Sequence, residues 1–175
     1  MLDLEIRDAI KIVPNFPKEG IFFKDITPIL MNPVLSQRIL DHLYAYYRRK
    51  NIDKIAGIES RGFLLGYPLA IRLGVPFVMI RKEGKLPRET ASSNYELEYG
   101  ISTIEMHTDA FNAGDRVLIN DDLLATGGSA AACAELIKKF GGEIVSFNFL
   151  INLEYLQGFK KLIPYCDHII SLVKY

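Results

Sequence analysis

The chain has 175 residues, of which 49% are hydrophobic, 24% charged and 11% aromatic, a composition that excludes the disordered and collagen-like classes. At this length roughly 70% of the surface of the unfolded chain is buried on folding, enough for one core without disulfides or structural metal. Twenty-one Lys plus Arg balance twenty-one Asp plus Glu, so no broad basic face is expected for nucleic acid or acidic lipid, and any cationic site has to be local.

Residues 1–13 mix Asp3, Glu5, Arg7, Asp8 and Lys11 with apolar residues, unlike the basic start and uninterrupted apolar stretch of a signal peptide. No run is long enough to span a bilayer, so no membrane partner is expected and the cytoplasm is the expected compartment. Residues 4–12 have helical spacing, which Pro14, Pro17 and Gly20 break into a shaped connector over 13–20. A short aromatic segment over 21–26 leads to Asn32-Pro33, an N-cap followed by an N1 proline. The spacing of Leu35, Ile39, Leu40, Leu43 and Tyr47 then predicts a helix over 33–50, with Arg48, Arg49 and Lys50 at the negative end of its dipole.

Residues 54–59 read as a buried strand, 63–73 as a helix stopped by Gly74, and 75–80 as a second strand, which makes a βαβ unit. Residues 81–100 are polar and hold Gly84, Pro87, Ser92, Ser93, Asn94 and Gly100; a loop of this length is expected to be functional, and it is read as a long flexible lid. A weak strand over 101–107, a turn at 112–115, a clear strand over 116–119, a helix over 130–140 ending at Gly141-Gly142, a strand over 143–153 and a short strand over 168–173 complete the chain. Strands alternating with helices imply one α/β domain over 1–175, a mainly parallel sheet flanked by helices, with its ligand site at the carboxyl ends of the strands. Cys133 and Cys166 read as buried free thiols. His42, His107 and His168 lack the spacing of a zinc site.

The most informative stretch is Asp121-Asp122-Leu123-Leu124-Ala125-Thr126-Gly127-Gly128-Ser129, between a strand and a helix start. Two adjacent carboxylates offer acceptors for hydroxyls or a metal. Gly127 and Gly128 let a ligand approach bare N–H groups, Thr126 and Ser129 add hydroxyls, and the helix adds its positive end. A sugar phosphate fits both halves. The plainer alternative is a capped helix after a glycine turn, but one Asp suffices as a cap and two side by side repel. GxxxxGK[ST] is absent.

The run VLINDDLLATGGSA resembles the phosphoribosyl-pyrophosphate (PRPP) binding motif of the type I phosphoribosyltransferase family. Residues 16–28 (FPKEGIFFKDITP), 57–66 (GIESRGFLLG), 80–100 (IRKEGKLPRETASSNYELEYG) and the ending SLVKY resemble the adenine phosphoribosyltransferases of that family in order and spacing, over almost the whole chain. The resemblance implies the type I fold with a small N-terminal hood over 1–32 and a lid over 81–100. It also implies conversion of adenine and PRPP to AMP and pyrophosphate, with Mg2+ carried by PRPP rather than held directly by the protein.

By the same resemblance Asp121 and Asp122 would bind the ribose hydroxyls, and the loop from Ala125 through Thr126, Gly127 and Gly128 to Ser129 the 5-phosphate. Glu59-Ser60-Arg61-Gly62 would form the pyrophosphate loop, with a cis peptide between Glu59 and Ser60 that turns an N–H toward the ligand. Phe22, Phe23 and Lys24 match the hood segment over the base, which Arg61 would also approach; without the resemblance two phenylalanines read as core. Arg81, Lys82 and Lys85 would meet the pyrophosphate, where composition alone allows a solvated loop. Arg81 is further expected to act in catalysis by reaching the site of the neighbouring subunit in a homodimer.

Glu98 matches the lid carboxylate that serves as acid or base at the purine ring, and Tyr99 a lid contact. Glu96 falls on the same side of an extended segment, and spacing does not choose between the two acids. Rival readings are a transferase for hypoxanthine, guanine or xanthine, and a catalytically silent PRPP sensor, for whose DNA-binding module the chain has neither length nor charge. Three positions depart from the family pattern: Asn120 where an apolar residue usually ends the strand, Ser129 for the commoner Thr, and Arg88 for Gly. A buried Asn120 has to find partners, and Arg88 is read as stiffening the lid or adding a phosphate contact.

Overall fold

The computed structural model describes residues 1–96 and 101–175, which form two compact units, Met1–Ala45 and Tyr46–Tyr175. In the first unit, α1 (Leu2–Ala9) leads into β1 (Lys11–Pro14), which pairs antiparallel with β2 (Phe22–Asp25). The helix expected over 4–12 therefore stops three residues early, at Ala9. Ile10 is already extended, at φ −67° and ψ 127°. A β-branched pair followed by proline accounts for this, because Pro14 excludes its predecessor from helical geometry and Ile12 and Val13 favour strand. Asn15 (φ 58°) and Gly20 (φ 84°) close the β1–β2 turn, with the Gly20 N–H donating to Asn15 Oδ1 at 2.9 Å. After a short helix, α2 (Thr27–Leu30), Asn32 caps α3 (Pro33–Tyr47) by accepting from the Leu35 N–H at 3.1 Å.

The second unit is built on a seven-stranded sheet. β3 (Lys54–Ile58), α4 (Gly62–Leu73) and β4 (Phe77–Lys82) make the expected βαβ unit, and α4 ends at Gly74 in the left-handed region. β5 (Thr90–Glu96) and β6 (Ile101–His107) pair antiparallel, and β6 joins β4. β7 (Arg116–Leu124), α5 (Gly128–Lys139), β8 (Glu143–Asn152) and β9 (Ile169–Lys174) complete it, in the order β5-β6-β4-β3-β7-β8-β9. The five strands from β4 to β9 in that order run parallel, as expected of a mainly parallel sheet.

Two expectations change. The polar stretch over 81–100 is not loop throughout, because Thr90–Glu96 is a strand. It pairs on one side only, at the edge of the sheet, where water can solvate polar side chains and no apolar run is required. The strand expected over 116–119 continues to Leu124, carrying the acidic pair inside the ladder. Cys133 is fully buried whereas Cys166 is only partly so. Among the described residues no helix is long and apolar enough to cross a membrane.

A file of polar side chains crosses the core beside the sheet. Asn120, fully buried, donates from Nδ2 to the Gly62 carbonyl at 2.7 Å and accepts at Oδ1 from Asn148 Nδ2 at 2.7 Å. Asn148 Oδ1 accepts from the Tyr47 hydroxyl at 3.3 Å, which lies 3.2 Å from Ser146 Oγ. His168 continues the file, with Nδ1 2.9 Å from Ser146 Oγ and Nε2 2.8 Å from the Tyr46 hydroxyl. The partners that Asn120 needed are thus supplied by β8 and the start of α4.

Candidate active site

The parallel strands deliver their carboxyl ends to one edge, and the polar residues singled out in the sequence collect there. β7 carries Asp121 and Asp122, and Asp122 is nearly inaccessible to solvent. Its Oδ2 lies 2.9 Å from Arg61 Nε at the start of α4. Burial raises both acids above the ordinary aspartate value, most of all Asp121, which the Asp122 charge raises further; at Asp122 the Arg61 guanidinium and the interaction with Asp121 offset part of the effect of burial. A buried pair of this kind favours sharing a proton at rest and gives it up where hydroxyl donors or positive charge arrive.

The turn from β3 into α4 is Glu59-Ser60-Arg61-Gly62, and the Glu59-Ser60 peptide is cis, as the resemblance implied. Gly62 lets this turn lie against β7. A Cβ there would sit 2.6 Å from the Asn120 carbonyl oxygen and 3.0 Å from Asp121 Oδ1, so helix and acidic pair approach closely only because the side chain is absent. Arg61 and the two acids therefore belong to one cluster.

Arg81, Lys82 and Lys85 gather on the same turn's carboxylate. Glu59 Oε2 accepts from the Lys82 N–H at 2.9 Å and lies 3.3 Å from Arg81 Nε, while Oε1 lies 2.5 Å from Lys85 Nζ. Burial works to raise the Glu59 carboxyl, but the Lys85 and Lys82 hydrogen bonds and the two nearby cations hold it below the ordinary glutamate value. Arg81 also donates to the Lys85 carbonyl at 3.0 Å, so its side chain is engaged with its own chain.

Beyond the acids, Leu123 to Ala130 and the rings of Tyr95 and Phe149 line a cavity of about 210 Å³. Gly127 takes φ 77° and Gly128 opens α5, so the first turn of that helix, with its unpaired N–H groups and positive dipole end, borders this space. Thr126 is exposed and Ala125 and Ser129 are half-buried. One lining residue and one residue packed behind the loop escaped the sequence reading. Tyr95 comes from the edge strand β5, and Gly158 packs so closely that a Cβ on it would lie 2.1 Å from the Ala125 carbonyl oxygen. Nothing in the sequence signalled Gly158, which lies in a segment with no periodicity; in the structure it follows Gln157, a non-glycine residue at φ 51°.

In the first unit, Phe22 is 62% exposed, and Phe23 is half-buried with its ring edge-on to Phe16 at 5.1 Å. Burial lowers the Lys24 ammonium pKa. Phe22 is therefore not core, which was the alternative reading of that segment. Glu98 and Tyr99 lie outside the described residues. Arg88 pairs with Asp109 at an exposed position, tying the segment before β5 to the turn after β6. Among the described residues no three His, Cys, Asp or Glu side chains gather to hold a metal ion.

A family profile for the phosphoribosyl transferase domain matches residues 27–160. The whole chain is 49% identical to the adenine phosphoribosyltransferase of Cytophaga hutchinsonii and covers 97% of it. It is also 49% identical over 170 residues to the adenine phosphoribosyltransferase of Yersinia pseudotuberculosis, spanning 97% of this chain and 91% of that one. Among solved structures, the adenine phosphoribosyltransferase of Thermoanaerobacter pseudethanolicus matches at a TM-score of 0.95 and 50% identity over 99% of each chain. That of Saccharomyces cerevisiae, complexed with adenine and an imino-altritol bisphosphate, matches at 0.90 and 43% over 98% of each.

Proposed function

Because the chain belongs to the adenine phosphoribosyltransferase family, we propose that it transfers the phosphoribosyl group of PRPP to adenine, giving AMP and pyrophosphate. The observation that carries this reading is the continuity of Asp121 and Asp122 with the Gly127-Gly128 turn and the start of α5, with Arg61 2.9 Å from Asp122. One stretch thereby offers acceptors for ribose hydroxyls and N–H donors for its phosphate.

The reaction is a displacement at the anomeric carbon in which positive charge grows on the sugar and negative charge on the departing pyrophosphate. Asp121 and Asp122 hold the 2- and 3-hydroxyls and lower the cost of the positive charge, while the loop from Ala125 to Ser129 anchors the 5-phosphate. The Ser60 N–H, Arg61, Lys82 and Lys85 face the leaving group. Magnesium, bound through PRPP oxygens, would neutralise part of its charge. Glu98 takes or gives the proton at the purine ring nitrogen, with Tyr99 as a lid contact, in a site closed against water. Base contacts from Phe22, Phe23 and Lys24 rest on the sequence resemblance of residues 16–28. Arg88, paired with Asp109, acts on the lid through that tie.

We place the active form as a homodimer in which Arg81 reaches the neighbouring site. An apolar face on α4 and β4 supports it: Tyr67, Ile71 and Met79 are 55%, 62% and 44% exposed, and Met79 is two residues from Arg81. The test supplies purified protein with magnesium, PRPP and adenine, hypoxanthine, guanine or xanthine in turn, and identifies the nucleotide formed. AMP from adenine alone is expected. IMP, GMP or XMP would move the assignment to another base, and PRPP binding without any nucleotide would make the protein a sensor.

A further inference from the structure

Glu59 has the wrong charge for its place. The groups around the departing pyrophosphate in the proposed reaction are N–H donors and cations, yet a carboxylate sits among them with only 9% of its side chain exposed. It takes the Lys82 N–H, Arg81 Nε and Lys85 Nζ at 2.9, 3.3 and 2.5 Å. The two cationic side chains remain open to water, at 31% for Arg81 and 47% for Lys85. An anion arriving from solvent thus meets the cations first and finds them already engaged from behind. A carboxylate accepting from an amide, a guanidinium and an ammonium makes the same kind of contacts as a phosphate oxygen set.

We propose that Glu59 is a positioning residue that stands in for pyrophosphate: it keeps Arg81, Lys82 and Lys85 gathered while the site is empty, and competes for Lys85 with the diphosphate of its own site and for Arg81 with that of the neighbouring site, so that the product is released. The inference rests on the proposed transfer reaction for the identity of the diphosphate. Two roles follow for one group. As a scaffold it orders the turn over 82–85, which Glu105 also holds by accepting the Gly84 N–H at 3.0 Å. As a competitor it weakens the grip of that turn on an anion. A purely structural carboxylate would do only the first, and removing its charge would then loosen the cations and weaken anion binding.

The deciding variant is Glu59→Gln, which keeps the shape and an acceptor for the Lys82 N–H but removes the charge. Titration calorimetry of the full chain with pyrophosphate and magnesium, at several salt concentrations, reads the effect directly. A dissociation constant about tenfold lower than in the unsubstituted protein is expected, with a steeper loss of affinity on adding salt because two cations are freed. Adding Lys85→Met to that variant should cancel most of the gain. Equal or weaker pyrophosphate binding by a folded Glu59→Gln protein overturns the proposal, as does a gain that survives the loss of Lys85. If Glu59→Gln fails to fold, Glu59→Asp replaces it: one methylene withdraws the charge from Lys85, and a smaller change of the same sign is expected, while no change overturns the idea. The measurement needs no adenine and no AMP. A protein that forms AMP but shows no tightening refutes this inference alone, one that binds pyrophosphate without forming AMP refutes the reaction instead, and one that binds no pyrophosphate refutes both.

Discussion

Asp121 and Asp122 are held at the end of β7 where the resting fold disfavours their charged forms, since burial raises both carboxyl groups and the Asp122 charge raises Asp121 further. A group whose folded pKa lies above its unfolded value adds stability below the unfolded pKa and loses it as pH rises through the folded one. At neutral pH the pair therefore costs stability. Asp121→Asn keeps the oxygen that accepts the Asp122 N–H at 2.8 Å and removes one charge, so a melting temperature about 2–4 °C higher at pH 7.5 is expected. The gain should vanish in scans below the ordinary aspartate pKa, and kcat/KM for PRPP should fall by about 100-fold or more because the acceptor proposed for the ribose hydroxyls loses its charge. Asn120 makes a second case. Asn120→Val leaves Asn148 Nδ2 without its acceptor and should cost about 1–3 kcal/mol in denaturant unfolding. Asn120→Val with Asn148→Val removes both ends of that bond and should recover the part of the loss due to the orphaned amide, while the Gly62 carbonyl and the Tyr47 hydroxyl still lose a partner; the coupling is read from the double-mutant cycle. The sequence marked Asn120 as a buried polar group needing partners, but Asn148 and Tyr47 lie on other elements and no local pattern connects them.

At the scale of elements, the loop between β7 and α5 was legible because its chemistry is local: acids, glycines, hydroxyls and a helix start follow one another in nine residues. What supports that loop was not. Gly158 opens a short 3-10 helix, Gly158–Lys161, and its backbone presses on Ala125 and Gly127, 33 and 31 residues away in the chain. Gly158→Ala has no room for its methyl group against the Ala125 carbonyl, and the contact is backbone on backbone, so the phosphate loop has to move. A loss of about 1–3 kcal/mol in stability is expected, together with a rise in KM for PRPP that exceeds any rise in KM for adenine, both measurable by unfolding and initial-rate kinetics. The elements that sequence missed share one cause. β1 and β5 each pair only with the strand that follows them, and neither carries a buried apolar alternation: all four β1 residues are exposed, and β5 begins Thr-Ala-Ser-Ser-Asn. α4 and β7, which bury one face or both, announced themselves by periodicity.

At the scale of the whole molecule, the sheet in the second unit concentrates polar groups at the carboxyl ends of β3, β4 and β7 and leaves an apolar surface on α4 and β4. Leu64, Tyr67, Ile71 and Met79 are each more than 40% exposed, while Phe63, Pro68 and Phe77 help line a shallow apolar cavity of about 680 Å³ beside them. A soluble monomer rarely keeps such a patch open to water. In a two-fold dimer the same patch faces its own copy, and β4 runs from Met79 within that patch to Arg81 at the site. Tyr67→Asp combined with Ile71→Asp places two desolvated charges at the centre of the contact without touching the acidic pair or the phosphate loop. Light scattering is expected to change from twice the 19.8 kDa chain mass to the chain mass itself. A dimer that persists unchanged would assign the contact to another face. If Arg81 serves the neighbouring site as proposed, AMP formation should fall as the dimer is lost and return in part when protein concentration is raised, because mass action restores the partner. A monomer with full kcat would show instead that Arg81 serves the site of its own chain, where its contact with Glu59 already places it.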